Sequence, residues 1–186
     1  MTTAMIVSIF LGIGLSASAG FRVFIPLLVA AIAGKLGWIP LGQGFQWMAG
    51  YMAITCFATA TIMEIAAYYI PVVDNFLDTI TTPMAIVAGT LLATSVLPVD
   101  NELLKWVSGI LIGGGSAGII QTGTSLLRLA STKTTAGMGN SIIATAEHTA
   151  ALGTSVFAVF LPVIAGILVL IFIIYLVRKL LGFNRH

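Results

Sequence analysis

Residues 141–181 form an almost continuous apolar stretch, about twice the length one helix needs to cross a ~30 Å hydrocarbon core. Further apolar runs cover 4–34, 44–70, 83–97 and 103–129. Runs of this length constrain the fold more than any other feature of the chain. A soluble domain is about 25% charged, whereas this chain of 186 residues is 8% charged and 59% hydrophobic, with a mean hydropathy of +1.10. Eight Lys and Arg, six Asp and Glu and two His cannot coat a soluble surface. Lipid is the solvent that tolerates the remainder, and in lipid a helix satisfies its own backbone. The expectation is an all-α, polytopic transmembrane helical bundle in a lipid bilayer, a single domain over residues 1–186.

About six hydrophobic segments divide the chain, some of them interrupted. Segment 1 (4–34) is too long for one straight crossing. Its Gly14–Gly20 run of small residues, then Arg22 and Pro26, predict a bend, a break or a steep tilt. Residues 6–19 also resemble a signal-peptide core with an Ala-Ser-Ala site, but no Lys or Arg precedes them, so the segment is expected to stay in the membrane. Segment 2 (44–70) carries Trp47 and Tyr51 near one end and Tyr68 and Tyr69 near the other, as an aromatic belt would. A loop is expected over 72–82, then segment 3 (83–97) and a turn at 100–105. Segment 4 (103–129) is interrupted by glycines at 113–118. A polar loop spans 128–140, and Pro162 divides the last stretch into segments 5 and 6. With six crossings, Arg128, Lys133, Arg178, Lys179 and Arg185 share one face, against Lys35 and Lys105 on the other. That bias places both termini in the cytoplasm.

Residues 88–99 match 152–163, with the same spacing from Gly-Thr to Leu-Pro-Val, and Ser18-Ala19-Gly20 is echoed by Ser116-Ala117-Gly118. An inverted repeat of three plus three segments is one reading of these echoes. The longer match pairs segment 3 with segment 5, outside that register.

Charges inside apolar runs are costly, about 3 kcal/mol for an Arg at a helix centre on insertion scales. Arg22 is therefore the first site candidate, as an anion-binding or gating group or as a tie between helices. Glu64, Asp74, Asp78, Glu147 and His148 gather toward one face and could line a substrate or ion path, or form a solvated, salt-bridged layer. Glu64 is expected at the interface, or paired with Arg22 or Arg128. Glu147 and His148 are adjacent, so they point about 100° apart on a helix and make no two-ligand clamp; no metal and no cofactor is expected. Cys56 is the only cysteine, which excludes an intrachain disulfide. No basic stripe or motif points to nucleic acid. Gly12, Gly20, Gly109, Gly113 and Gly118 lie on faces of small residues that let helices approach closely.

Three stretches, 20–28, 64–78 and 139–147, resemble the bacterial membrane proteins grouped as domain of unknown function 4126. They carry a Gly-x-Arg with a downstream Pro-Leu-Leu, a Glu-x-x-Ala-x-x-x-Pro-x-x-Asp run, and a Gly-Asn followed by an acid. Tyr68-Tyr69 stands in place of an Asp-Lys pair, and His148 in place of a second acid. The resemblance implies a multi-pass protein of the bacterial inner membrane and assigns no activity. It marks Arg22, Glu64, Asp74, Asp78, Asn140 and Glu147.

Two functions follow as expectations. One is a small transporter or channel-like protein with a polar intramembrane site. The other is a structural or assembly subunit that packs on itself or on a membrane partner through its small-residue faces. An enzyme is less favoured, because no serine is tied to His148 by spacing.

Overall fold

The computed structural model describes residues 3–135 and 139–183, with backbone only at 71–76, 78, 79, 180, 182 and 183. The described residues are all helical apart from connections, with no strand. The order is α1 (Thr3–Ala19), α2 (Phe24–Lys35), a 3-10 helix (Gln43–Ala49), α3 (Tyr51–Ala67), α4 (Pro71–Val96), α5 (Glu102–Ser108), a π-helix (Gly109–Gly114), α6 (Gly115–Thr135), α7 (Asn140–Phe160) and α8 (Pro162–Phe183).

Segment 1 breaks at residues 20–23, and its two arms run antiparallel. Gly12 lies against Ala93 and Val96, and a Cβ on Gly14 would sit 2.7 Å from that of Ala158. Beyond the second arm, Gly42 N–H donates to the Ser95 carbonyl at 2.8 Å, and Trp38 meets Phe160 at 5.2 Å between ring centroids. The middle of the first arm and the end of the second therefore both lie beside the C-terminal ends of α4 and α7. Between them, the tip carries Arg22 down to Glu147. The α1–α2 unit is a helical hairpin whose tip lies inside the bundle. The small residues explain the turn, since a Cβ on Gly20 would lie 2.5 Å from the Ala117 carbonyl oxygen. Pro26, in the first turn of α2, costs no intrahelical bond. Gly37, at φ 72°, closes α2 with Gly37 N–H on Gly34 and Trp38 N–H on Ala33, a left-handed cap that glycine adopts without strain.

The other elements run end to end: α3, α4, α5 through α6, α7 and α8. Among the described residues, five elements thus run along the bundle beside one hairpin, and the two described ends lie at opposite ends of it. All six expected hydrophobic segments are helical among the described residues, and segment 1 doubles back as the hairpin. Among the described residues, three helices are long and apolar enough to cross a membrane, Glu102–Thr135, Asn140–Phe160 and Pro162–Lys179. The pair Gln43–Ala49 and Tyr51–Ala67, bent by 62°, makes a fourth if counted as one span. The remaining apolar helices, Thr3–Ala19, Phe24–Lys35 and Ile80–Val96, are shorter.

Two local expectations are corrected. Residues 72–82 are the start of α4 rather than a loop, because Pro71 takes the first helical position, where its missing N–H costs nothing. Pro83 then sits inside the helix instead of opening it. The glycines of segment 4 do not interrupt it; the chain passes through a π turn at Gly109–Gly114 within one continuous helix. That turn lets backbones touch. A Cβ on Gly89 would lie 2.6 Å from the Gly113 carbonyl oxygen, and Gly109 lies against Thr94. Gly118 faces Ile86. All five singled-out glycines thus face neighbours within this chain.

The distribution of polarity is inverted relative to a soluble protein. Met52 is 83% exposed, and Leu103, Leu111 and Ile142 are similarly open, while Ser16, Ser18, Thr94, Ser95 and Ser155 are fully buried. Trp38, Trp47 and Trp106 stand exposed at one end of the bundle, and Lys133, Arg178 and Lys179 at the other. These are the tryptophan end and the basic end of the bundle. A bilayer solvates such a surface.

Candidate functional site

The hairpin tip poses a backbone accounting problem, since a break in a buried helix leaves N–H groups without partners. Here each is met. Gly20, Phe21 and Arg22 donate back to Ala17 and Ser18 carbonyls at 3.0–3.2 Å. Val23 and Phe24 N–H donate to the two carboxylate oxygens of Glu64, at 2.9 and 3.0 Å. Glu64 comes from the last turn of α3 and is 8% exposed. It caps the N-terminus of α2 from another helix, where the helix dipole favours a negative charge.

Next to this cap lies a buried charged centre. Arg22, 1% exposed, donates from Nη2 to Glu147 Oε2 at 2.5 Å. Arg128 of α6, also buried, reaches the same oxygen from Nη2 at 2.6 Å and Oε1 from Nε at 3.1 Å. One carboxylate therefore holds two guanidiniums. Both guanidiniums lie over the ring of Tyr68, with Cζ 3.4 Å (Arg22) and 4.5 Å (Arg128) from its centroid. Tyr68 is itself buried, and its hydroxyl meets Thr81 Oγ1 of α4 at 3.1 Å. Glu147 and Arg128 each lie seven residues from the basic end of their helices, which puts the centre about 10 Å inside the bundle.

Toward the basic end lies an aromatic and polar layer. His148 does not enter the charged centre; it stacks on Tyr69 at 6.1 Å, and its Nδ1–H donates to the Ala144 carbonyl. Tyr69 continues to Thr145 through a 2.9 Å hydroxyl pair. Asn140 opens α7, buried, with Nδ2 donating to Thr132 Oγ1 at 3.2 Å. Asp74 and Asp78 lie on the first turns of α4, and their side chains fall outside the described residues. Among the described residues, no group of three His, Cys, Asp or Glu is placed to hold a metal ion.

Of the sequence-marked residues, Arg22, Glu64 and Glu147 converge and His148 sits beside them. The expected pairing of Glu64 with an arginine is replaced by its bonds to the hairpin tip. Glu147 takes both arginines instead. Sequence reasoning missed Tyr68, read as an interfacial aromatic, and placed Arg128 in a loop. Both had a signal: Tyr68 is four residues after Glu64, on the same helix face, and Arg128 interrupts an apolar run as Arg22 does.

Three polar atoms in the same region, Arg22 Nε, Thr61 Oγ1 and His148 Nε2, are buried without a hydrogen-bond partner. Thr61 lies one turn before Glu64 on α3. Such atoms leave polar valence that water or an ion can fill.

No curated protein and no solved structure matches the chain. One family model does match, over residues 9–181, and that span holds the hairpin tip, the Glu64 cap and the Arg22–Glu147–Arg128 centre. The chain belongs to the family described as Domain of unknown function (DUF4126).

Proposed function

We propose that this protein is a small membrane transporter or channel-like protein whose polar path runs past the hairpin tip and the Arg22–Glu147–Arg128 centre. The observation that carries this reading is the broken hairpin itself. A bundle that served only as a scaffold could run segment 1 as an unbroken apolar helix, with no charge to bury. This chain instead turns α1 back inside the bundle, points the N-terminus of α2 at a carboxylate, and keeps Arg22 Nε and Thr61 Oγ1 without partners. Discontinuous helices whose termini face a charged group are the device by which transporters hold ions within a bilayer.

The basic end takes the cytoplasmic side in this reading, since Lys133, Arg178 and Lys179 outnumber Lys35 and Lys105 at the tryptophan end. The C-terminus is then cytoplasmic and the N-terminal end opposite, in a bacterial inner membrane. The assembly-subunit reading draws no specific support, because the glycine faces that would serve a partner are occupied within the chain.

The test is side-specific thiol labelling in a Cys56→Ala background, since Cys56 is exposed. Thr61→Cys is close in size to the native residue and leaves Glu64 and both arginines intact. Labelling by a charged, impermeant reagent is expected, because the path admits water. Thr3→Cys and Lys179→Cys report the two sides and should react from opposite faces. A Thr61→Cys protein inert from both sides, with both reporters labelled, would refute the transport reading.

A further inference from the structure

Helices α6 and α7 scarcely touch along much of their length, and α8 does not close the gap. The space left is a groove of about 990 Å³, lined by Leu126, Leu127, Ile143, Ala146, Leu176 and other apolar side chains, with Lys179 at one end. A second cavity of about 420 Å³ continues it, sharing Phe21, Ile120, Ala150 and Phe172 and reaching Ala165. From Lys179 to Ala165 is fourteen residues of α8, or about 21 Å of helix. One leaflet contributes about half of the ~30 Å hydrocarbon core. The groove therefore starts at headgroup depth and runs somewhat past the middle of a bilayer.

Its polarity is graded in the same direction. Lys179 is exposed, lies 5.9 Å from the Tyr175 ring centroid, and has no acidic partner among the described residues. Arg178 is exposed beside it. Glu147 also lines the groove, but its carboxylate is held by Arg22 and Arg128, so among the described residues the charge left at the mouth is positive. The deeper part is aromatic and aliphatic. A cation at the mouth above a long apolar channel is the complement of an amphiphile with a negative head.

We propose that the α6–α7–α8 groove is a lateral binding site for an anionic membrane lipid, with its headgroup at Lys179 and one acyl chain lying along α8 toward Ala165. The site needs only that the bundle sits in a bilayer and does not rest on the transport reading.

Native mass spectrometry of the full chain, released from vesicles of equal phosphatidylglycerol and phosphatidylcholine with matched chains, tests it. A retained phosphatidylglycerol adduct in excess over phosphatidylcholine is expected. Lys179→Gln, on an exposed side chain, should lower that preference about fivefold, the factor equivalent to the ~1 kcal/mol a basic residue contributes at an anionic surface. Ala150→Phe, which fills the junction of the two cavities, should reduce both adducts. Equal retention of the two lipids by the native protein would overturn the proposal, as would a phosphatidylglycerol adduct that survives both variants. A dimer that Ala150→Phe abolishes, with no lipid adduct, would assign the groove to a second copy and also overturn it. A protein that binds phosphatidylglycerol but leaves Thr61→Cys unlabelled keeps this inference and loses only the transport reading.

Discussion

Glu147→Gln and Arg22→Met should have very unequal effects on stability, although the two residues form one ion pair. Glu147 is the shared acid of two buried guanidiniums. Neutralising it removes the charge that holds Arg22 Nη2 at 2.5 Å and Arg128 Nη2 at 2.6 Å. Removing one partner of a buried pair costs about 3–5 kcal/mol, because the other charge stays buried. Against a total stability of about 5–15 kcal/mol, that is a large share. Arg22→Met is different. Glu147 keeps its two-point contact with Arg128, and the cost of burying the second guanidinium disappears. The losses are the stacking on Tyr68, about 1–2 kcal/mol, and one charged hydrogen bond. A methionine of similar length recovers packing, so the net change is expected within about 1.5 kcal/mol of zero. The double variant should be less destabilised than the sum of the singles, with a coupling of about 1–3 kcal/mol. Denaturant titration of the purified protein in mild detergent, followed by tryptophan fluorescence, measures all three. If Arg22→Met destabilises as much as Glu147→Gln, or if the effects simply add, the account of a carboxylate shared between two arginines is wrong. If the asymmetry holds, Arg22 contributes little to the fold, which strengthens its assignment to the proposed path.

Glu64→Ala should orphan the Val23 and Phe24 N–H groups and cost about 3 kcal/mol, with Glu64→Gln intermediate because it retains one acceptor; amide hydrogen exchange at Val23 and Phe24 should rise in the same order, and unchanged protection would refute the cap. Gly113→Ala pushes a methyl into the Gly89 carbonyl of α4 and should destabilise the chain by about 1–3 kcal/mol without changing its oligomeric state. Gly153→Ala, on α7 with open space around it, should be neutral or gain up to about 1 kcal/mol by the same denaturant titration. Equal losses at the two glycines would remove the distinction drawn between them.

The sequence exposes the helical class through composition and run length, and it exposes the break in segment 1 through Gly20, Arg22 and Pro26. It does not expose the direction of the chain after that break. A bend and a full reversal share the same local signals, and the reversal is decided by Glu64, Ala117 and Ala158, which are distant in sequence. The match between 88–99 and 152–163 has a plain cause in the structure. Both stretches end helices that run toward the tryptophan end, and both flank α1, at Gly12 and Gly14. Similar packing duties select similar small residues, and the two helices run in the same direction rather than inverted. The charged centre was half legible. An arginine in an apolar run announces that it needs a partner, but with Glu64 and Glu147 both available only the fold decides which one it meets.

The hairpin also sets a schedule for biogenesis. Arg22 is made early, yet its acid lies 125 residues later in the chain. At the usual ~5–20 residues per second of synthesis, roughly 6–25 s pass before Glu147 exists. During that interval the tip has neither its counter-ion nor, for the first 41 residues, the carboxylate that closes its backbone. The first helices of this protein should therefore wait at the membrane surface or against the insertion machinery, and the N-terminal unit should be the last to reach its native position.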